Sequence, residues 1–520
     1  MNHMKRIYSL LTLVGLIILL NIGCTKDFDE INTDPNRPTV VPTTNLIVTA
    51  ERSLLDDIRD EWFSGRGGLL YSQFWAQRNY TSEDRYALRD GTNNGYWRLI
   101  YTDIMSLEEI IKLNTDEKTK ALMSKYGNNA NQIAAATALK LWAIQLLTDT
   151  YGDVPYSEAF NAVENPSPKY DAQKDIYKDM LVKLKAAAEM INEEEVAFTE
   201  GDIIYGGDPS LWKKFINSLR LRVAVRLSKV TDADIVSLRD ATIAELKSGV
   251  GVFASNDDNA AVNYLGDNQS NAPLYDAFYT SARNDFTVTK QFVDLLKGEN
   301  DVKNNKTNPF FGLVDPRMYL WVPKSNAGTY NGIPYGISDA NAAGIWSTIP
   351  RPVANLYATY NMVLDADASL YYLEFAEVCF MLSEVNNWDQ AWYVKGVRAS
   401  MERWGVETAA IDSYIATLPA ANAENVLTQK YIAHYMDGYE AWADWRRTGF
   451  PKNLVQPGEL TGPLKDGSYI KFTPIIGNAI PRRVTYPVQE FTINKANVEA
   501  AKTRMGGNEL STNVWWDGGK

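Results

Sequence analysis

The chain has 520 residues, enough for one large hydrophobic core or for two or three packed units. Its formal net charge is −12, and because an acidic surface repels phosphate backbones, this charge argues against a nucleic-acid partner. Of the two histidines, His3 lies in the predicted signal peptide, so the mature chain would keep only His434 and could not form a multi-histidine metal site. We predict no catalytic residue, metal or other cofactor.

The first predicted element is an export signal. Lys5 and Arg6 precede an apolar stretch, residues 7–20, which is too short to span a bilayer comfortably. The stretch ends in a small residue followed by Cys24, as in a bacterial lipobox, although Asn21 stands where that pattern prefers leucine. We therefore predict that residues 1–23 are a lipoprotein signal peptide and that Cys24 is lipidated.

The segment after the cysteine is predicted to be a lipidated tether, residues 24–42. Its charged start, 26–30, resembles the surface-export signal of lipoproteins that reach the outer face of the outer membrane. No later apolar run approaches the length of a second membrane span. We therefore expect an outer-membrane, lipid-anchored protein that faces the cell exterior, with residues 43–520 forming a single domain.

Helical periodicity dominates the remainder of the chain. Apolar residues recur every three or four positions, which predicts helices that bury one face each. The stripes and helix signals comprise Trp97, Ile100, Ile104, Leu107 and Ile111; the Ala-rich run 130–147; Ile176, Met180, Leu184, Ala188 and Ile191; the helix start at Asp208-Pro209; and the runs 234–247, 370–384, 387–404 and 424–442. The fold class is therefore predicted to be mostly α, with helix hairpins stacked in a tetratricopeptide-like scaffold.

Two irregular regions interrupt this pattern. Residues from about 250 to 368 are rich in Gly, Asn, Asp and Pro mixed with aromatic residues. A shorter stretch, 450–490, is also interrupted by Pro and Gly residues. Loops of such length inside a compact body are usually functional. We therefore predict a loop-rich insert at about 250–368 that contributes to a ligand-binding face.

For several groups of polar residues, a structural role is favoured over a catalytic or metal-binding role. The acids of segment 365–369 are better explained as helix caps than as a calcium loop. Glu374 and Glu377 are predicted to share a helix face in a polar network between helices, rather than to form a glycosidase pair. His434 is predicted to be a packed side chain, and segment 444–447 an ion-pair cluster.

The loop aromatics point to a carbohydrate site. A sugar presents a C–H face that stacks on aromatic rings and hydroxyls that bind short polar groups. Trp75 and Trp346 are the preferred stacking platforms, and we expect both to be exposed. The predicted ligand-binding residues are Trp75, Tyr80, Tyr275, Tyr279, Tyr330 and Trp346, with Asn79, Arg283 and Asp285 as candidates for hydroxyl contacts.

Several segments, in order along the mature chain, match those of a known family. They are FDEINTDPN (28–36), TDTYGDVPY (148–156), Asp202 with YGGD (205–208), WKKFINSLRLR (212–222), DPR (315–317), GYEAW (438–442), RRTG (446–449) and WWD (515–517). In these segments the chain resembles the SusD/RagB family of outer-membrane nutrient-binding lipoproteins, in its SusD-like branch. The resemblance implies tetratricopeptide-like helix pairs beneath a loop-rich face, and a SusC-like TonB-dependent outer-membrane transporter as partner.

Three functions remain open at the level of sequence. The first is a cell-surface lipoprotein that captures oligosaccharides and passes them to the transporter. The second is the same architecture serving peptides or another nutrient. The third is a surface glycoside hydrolase, which would need two carboxylates in an aromatic cleft. The aromatic loops and the absence of a supported carboxylate pair favour the first function, with no enzymatic activity.

Overall fold

The computed structural model describes Met4 and residues 40–161, 164–267, 269–282, 285–324, 328–345 and 363–519. The chain divides into two units, Met1–Pro42 and Thr43–Lys520, and every element below belongs to the second. Cys24 lies outside the described residues. Among the helices of the described part, none is both long and apolar enough to cross a membrane.

Long α-helices form the scaffold. In chain order they are α1 Thr43–Ile58, α2 Asp90–Thr115, α3 Asn129–Tyr151, α4 Gln173–Met190, α5 Pro209–Arg226, α6 Ala233–Leu246, α7 Lys290–Lys297, α8 Phe375–Val385, α9 Gln390–Arg403, α10 Thr408–Ala416, α11 Ala423–Ala433, α12 Gly438–Thr448 and α13 Lys495–Met505. Shorter α-helical turns lie at Leu69–Tyr71, Lys120–Met123, Pro273–Tyr275, Met318–Trp321, Asp339–Ile345 and Glu490–Ile493.

The strands are short and pair two by two. They are β1 Trp75–Gln77, β2 Val154–Pro155, β3 Tyr170–Asp171, β4 Ala260–Asn263, β5 Phe286–Val288, β6 Ser369–Leu373, β7 Leu460–Thr461 and β8 Ile470–Lys471. Within the described residues they form four antiparallel pairs, β1–β5, β2–β3, β4–β6 and β7–β8. The sheets therefore act as ties between loops, whereas the helices supply most of the core.

Consecutive helices pack against each other. Helix α1 contacts α2, α2 contacts α3, α3 contacts α4, and α4 contacts α5. The predicted apolar stripe of α2 faces this core, with Ile100, Ile104 and Leu107 fully buried. The mostly α fold with tetratricopeptide-like helix pairs is thus confirmed.

The predicted start of α5 is also confirmed. The carboxylate of Asp208 accepts hydrogen bonds from the backbone N–H of Ser210, at 2.8 Å, and of Leu211, at 3.2 Å. Pro209 occupies the first helical turn, where its missing N–H costs nothing. The helix then carries Arg222 and Arg226 into the interior, where both are buried.

Two helix predictions are wrong in their bounds. The run 370–384 begins as strand β6, which pairs with β4, and the helix starts only at Phe375. Segment 365–369 therefore does not cap a helix. The run 424–442 is broken into α11 and α12, because Met436 adopts a left-handed conformation with a φ of +79°. Tertiary packing sets the helix bounds at both places, because the local periodicity alone predicts a continuous helix in each run.

Candidate ligand-binding face

The segment that holds Trp75, Asn79 and Tyr80 lies beside parts of the predicted insert at 250–368. Strand β1 pairs with β5, and Thr289, directly after β5, bridges to Ile333. The backbone N–H of Thr81 donates to Oδ1 of Asp339 at 2.9 Å. Segments near residues 75–81, 285–289 and 333–339 are therefore joined into one loop-rich face.

Trp75 does not belong to the exposed part of this face, and the expectation that it is exposed is wrong. Its side chain is completely buried, packs near Phe278 and Phe286, and donates from Nε1 to the Tyr435 hydroxyl at 3.0 Å. A ring in this position cannot stack on a sugar without unfolding the core around it.

The polar neighbours of Trp75 explain the error. Gln73 is itself buried and exchanges hydrogen bonds of 2.9 Å with the backbone of Val455. Gln77 is also buried, and its backbone N–H donates to Oδ2 of Asp84 at 2.8 Å. Polar neighbours in the sequence suggest an exposed ring, whereas these residues are buried and Gln73 finds its partner far away in the chain.

The remaining predictions in these loops have mixed outcomes. Asp285 is buried and its carboxylate forms an ion pair with Arg66 at 2.9 Å, so it serves the interior rather than a ligand. Tyr80 is 62% exposed and Asn79 is half-buried, so both remain accessible candidates. Arg283 and Trp346 lie outside the described residues.

Tyr275 and Tyr279 form a stacked pair. Their ring centroids are 5.0 Å apart with an angle of 29° between the ring planes, and both side chains are half-buried. The turn Pro273–Tyr275 continues directly into a wider helical turn, Asp276–Thr280. Phe278, in the second turn, is buried. The backbone therefore holds the two rings as one small aromatic surface.

Tyr330 is half-buried and meets the edge of Tyr319, at a centroid distance of 5.3 Å and an angle of 72°. Tyr319 is 56% exposed and was not among the predicted residues. The sequence feature that could have pointed to Tyr319 is the nearby segment 315–317. There Arg317 and Asp315 form a buried ion pair at 2.6 Å. That pair anchors the short helix Met318–Trp321, which buries Trp321 and leaves Tyr319 at the surface.

A cleft of about 250 Å³ opens next to the stacked tyrosines. Leu274, Asp365 and Asp367 line it, and Leu274 immediately precedes the pair. Burial and the nearby charge of Asp365 raise the pKa of Tyr279. The pair therefore neighbours the cleft through Leu274 and Asp365, but neither tyrosine lines it.

Three ion pairs build the floor and walls of this cleft. Arg59 contacts Asp437 at 2.6 Å, Arg403 contacts Glu374 at 2.7 Å, and Arg222 holds Glu377. The full set of lining residues is Arg59, Arg222, Leu274, Val363, Asp365, Asp367, Ala368, Ser369, Leu370, Tyr371, Leu373, Glu374, Glu377, Arg403, Trp404, His434, Tyr435, Met436 and Asp437. The cleft thus offers planar polar groups beside aromatic rings.

The two glutamates of the cleft have opposite electrostatic environments. Burial raises the pKa of Glu374 despite the neighbouring Arg403. Burial also acts on Glu377, but the neighbouring charges, chiefly that of Arg222, together with the hydrogen bonds from Arg222 outweigh it and lower the pKa of this carboxyl. Arg222 donates to both oxygens of Glu377, from Nε to Oε1 at 2.8 Å and from Nη2 to Oε2. Because both oxygens are engaged, Glu377 is poorly placed to act as a nucleophile or base.

The predicted polar network between helices is confirmed. Arg222 lies on α5 and Glu377 on α8, so their ion pair joins two scaffold helices. Glu374, however, precedes α8 instead of sharing its face with Glu377.

Neighbouring cationic side chains also disfavour a metal site next to the cleft. Glu377, His434 and Glu440 place one donor atom each within 4.8 Å of one another. Arg226 pairs with Glu440, and Lys430 lies 3.9 Å from Glu377, so cationic side chains already neutralise these carboxylates. His434 is buried, as predicted for a packed histidine.

The ion-pair cluster predicted at 444–447 is confirmed. Asp444 contacts Arg447 at 3.0 Å, Arg226 at 3.2 Å and Lys430 at 2.5 Å. These contacts join α5, α11 and α12 in the interior, which gives the cluster a structural role.

Comparisons with known proteins match most of the chain. A family model, SusD-like_2, described as starch-binding and associating with the outer membrane, matches residues 35–487. The chain is similar to a solved chitin-binding protein at 25% identity, with a TM-score of 0.70, covering 90% of this chain and 99% of the other. Among curated protein sequences, none matches this chain.

Two further solved structures share the fold. A SusD homolog from Parabacteroides distasonis has 24% identity and a TM-score of 0.73, covering 91% of this chain and 98% of the other. A chitin-binding SusD homolog from Flavobacterium johnsoniae has 21% identity and a TM-score of 0.69, with coverages of 91% and 98%.

Proposed function

The chain belongs to the SusD-like family, and on that basis we propose that it is a cell-surface lipoprotein that captures oligosaccharides and passes them to a SusC-like TonB-dependent transporter. The description of the family, starch-binding and associating with the outer membrane, supports both the ligand class and the location. The similarity to a chitin-binding protein over nearly the full length of both chains supports a glycan ligand as well.

One observation carries the ligand assignment. The stacked rings of Tyr275 and Tyr279 directly follow Leu274, a lining residue of a cleft that also contains carboxylates, guanidinium groups and aromatic rings. Aromatic faces cover the C–H faces of sugar rings, and planar polar groups bind several hydroxyls at once. Tyr80, Tyr319 and Tyr330 are further aromatic side chains in the loop-rich segments that are exposed or half-buried.

The proposed role is binding without catalysis. Glycoside hydrolysis needs an acid and a second carboxylate on opposite sides of the scissile bond. Glu374 and Glu377 line the cleft together, but each contacts an arginine, and Glu377 is held through both oxygens. This arrangement favours a rigid binding floor over a pair of reacting carboxylates.

The anchor explains why a partner is needed. A lipid group on Cys24 would tether the protein but would neither orient it nor move a nutrient across the membrane. We therefore propose that a β-barrel transporter performs both tasks. The charged segment 26–30 would direct the lipoprotein to the outer surface.

The test is recovery of the complex. We expect the acylated protein, extracted in mild detergent, to co-purify with a large β-barrel transporter, and growth on the cognate glycan to fall when the gene is deleted. Recovery of the monomer alone, together with unchanged growth after deletion, would contradict the transporter partnership.

The surface signal has a separate test. Replacing Lys26, Asp27, Asp29 and Glu30 with alanine should leave lipidation intact but protect the protein from protease added to whole cells. Unchanged digestion of that variant would show that these residues do not direct surface display.

A further inference from the structure

A second cavity of about 250 Å³ lies apart from the cleft. Its walls come from the start of α7, the loop after it, and the region around β7, and it shares no lining residue with the cleft among the described residues. Its volume equals that of the cleft, so both accept ligands of similar size.

Side-chain hydrogen bonds to backbone fix the walls of this second cavity. Asn304 donates to the carbonyl of Leu460 at 2.9 Å and accepts from its N–H at 2.8 Å, which ties the loop to β7. Asn304 also donates to Oδ2 of Asp301 at 2.7 Å. Across the cavity, Asn453 donates to the carbonyl of Gln291 at 2.9 Å. The cavity is therefore preformed, which reduces the entropy lost on binding.

One wall of the second cavity is aromatic. Tyr469 is half-buried, and Nζ of Lys303 lies 5.0 Å from the centroid of its ring. The other walls carry Lys290, Asp294, Asn300 and Asp301, which are donors and acceptors of the kind that bind hydroxyls. Oδ1 of Asn453 is buried and accepts no hydrogen bond from the described residues, which is unusual for a buried carbonyl oxygen.

The charges in this cavity nearly balance. Lys290 is paired with Asp294, and the other lining charges are Lys303, Glu299 and Asp301. Neither a strongly anionic nor a strongly cationic ligand gains much from such a lining, whereas a neutral polyol can use donors and acceptors of both kinds.

We infer that this cavity, built around Tyr469, Lys303 and Asp301, is a second binding site for a neutral sugar unit of an oligosaccharide. The inference rests on the proposed function for the ligand class, but not on the location of the first site. A sugar ring would lie against Tyr469 and place its hydroxyls toward Asp301, Asn300 and Lys290. Two sites on one chain would raise the apparent affinity for long glycans without any further contact.

Calorimetric titration of the full chain with maltotriose and with chitotriose tests the inference. Tyr469→Ala removes the aromatic wall, and Tyr469→Phe is the matched control that keeps the ring. We expect Tyr469→Ala to weaken one of two binding events by about tenfold or more, and Tyr469→Phe to retain it. The double variant Tyr275→Ala/Tyr279→Ala should weaken only the other event.

A second variant keeps the test independent of folding. Val302 lines the cavity and is 83% exposed, so Val302→Trp should obstruct the site without disturbing the core. Unchanged stoichiometry and affinity in both Tyr469→Ala and Val302→Trp, with saccharide binding intact in the wild type, would overturn the second site alone. Absence of any saccharide binding by the wild type would overturn the proposed function together with it.

Discussion

The indole N–H of Trp75 donates a hydrogen bond of 3.0 Å to the hydroxyl of Tyr435 in the interior of the protein. The bond joins strand β1 to the turn between α11 and α12, two segments far apart in the chain. Trp75 thereby ties the loop-rich face to the helical scaffold beneath it.

Trp75→Ala should destabilise the protein severely. Removing a fully buried Trp creates a cavity and costs about 3–5 kcal/mol, and it also leaves the Tyr435 hydroxyl without its donor. Urea unfolding measures the loss. Tyr80→Ala is the matched control, because Tyr80 is 62% exposed and its removal should change the free energy of unfolding by about 0.5 kcal/mol or less. Equal stability of both variants would place Trp75 outside the core.

Asp437 should make stability depend on acid pH. Burial disfavours its charge, but the guanidinium of Arg59 outweighs burial and holds the pKa at about 2. This value lies below that of an unfolded Asp, about 3.9, so the carboxylate stabilises the fold fully above about pH 4 and progressively less as the pH falls toward 2.

The measurement compares wild type with Asp437→Asn. The free energy of unfolding of the variant should be lower at neutral pH, and the difference between the two proteins should shrink as the pH falls from about 4 to 2. A difference that stays constant over this range would show that the Arg59–Asp437 pair does not set the pKa.

The helical scaffold was predictable from local sequence, because a helix that buries one face must repeat apolar residues every three or four positions. The stripe of α2 and the capped start of α5 illustrate this. The break at Met436 and the strand Ser369–Leu373 were not predictable, since both depend on contacts with distant segments.

The site was predictable only in part, for a related reason. The loop regions were identified correctly, but exposure within them depends on long-range partners. Gln73 is buried and bonds to Val455, 382 residues away, a contact that the local sequence does not reveal. Tyr275 and Tyr279, in contrast, lie within one local helical segment, and both are half-buried.

The stacked tyrosines should contribute directly to binding. Losing one ring from Tyr275 or Tyr279 should cost about 1–3 kcal/mol, by analogy with base stacking on aromatic side chains. That is roughly tenfold to a hundredfold in affinity. Calorimetry on Tyr275→Ala and Tyr279→Ala measures it, with Tyr→Phe at each position as the control. Unchanged affinity in both alanine variants would locate the ligand elsewhere.

Cys24 should be the point of membrane attachment. Cys24→Ala should abolish acylation and release the protein from the outer membrane, because the body then lacks its anchor. Metabolic labelling with a fatty acid, followed by fractionation, reports both effects, and Cys379→Ala is the control because that cysteine is buried. Retained acylation in Cys24→Ala would disprove the lipoprotein assignment.

The most direct test of the central claim is a calorimetric titration of the purified full chain with maltoheptaose, chitohexaose and a neutral peptide of similar mass. We expect saturable binding of at least one oligosaccharide, no heat from the peptide, and recovery of the saccharide at its original length. Saturable binding of the peptide with no response to either oligosaccharide, or shortened saccharide products, would contradict the account.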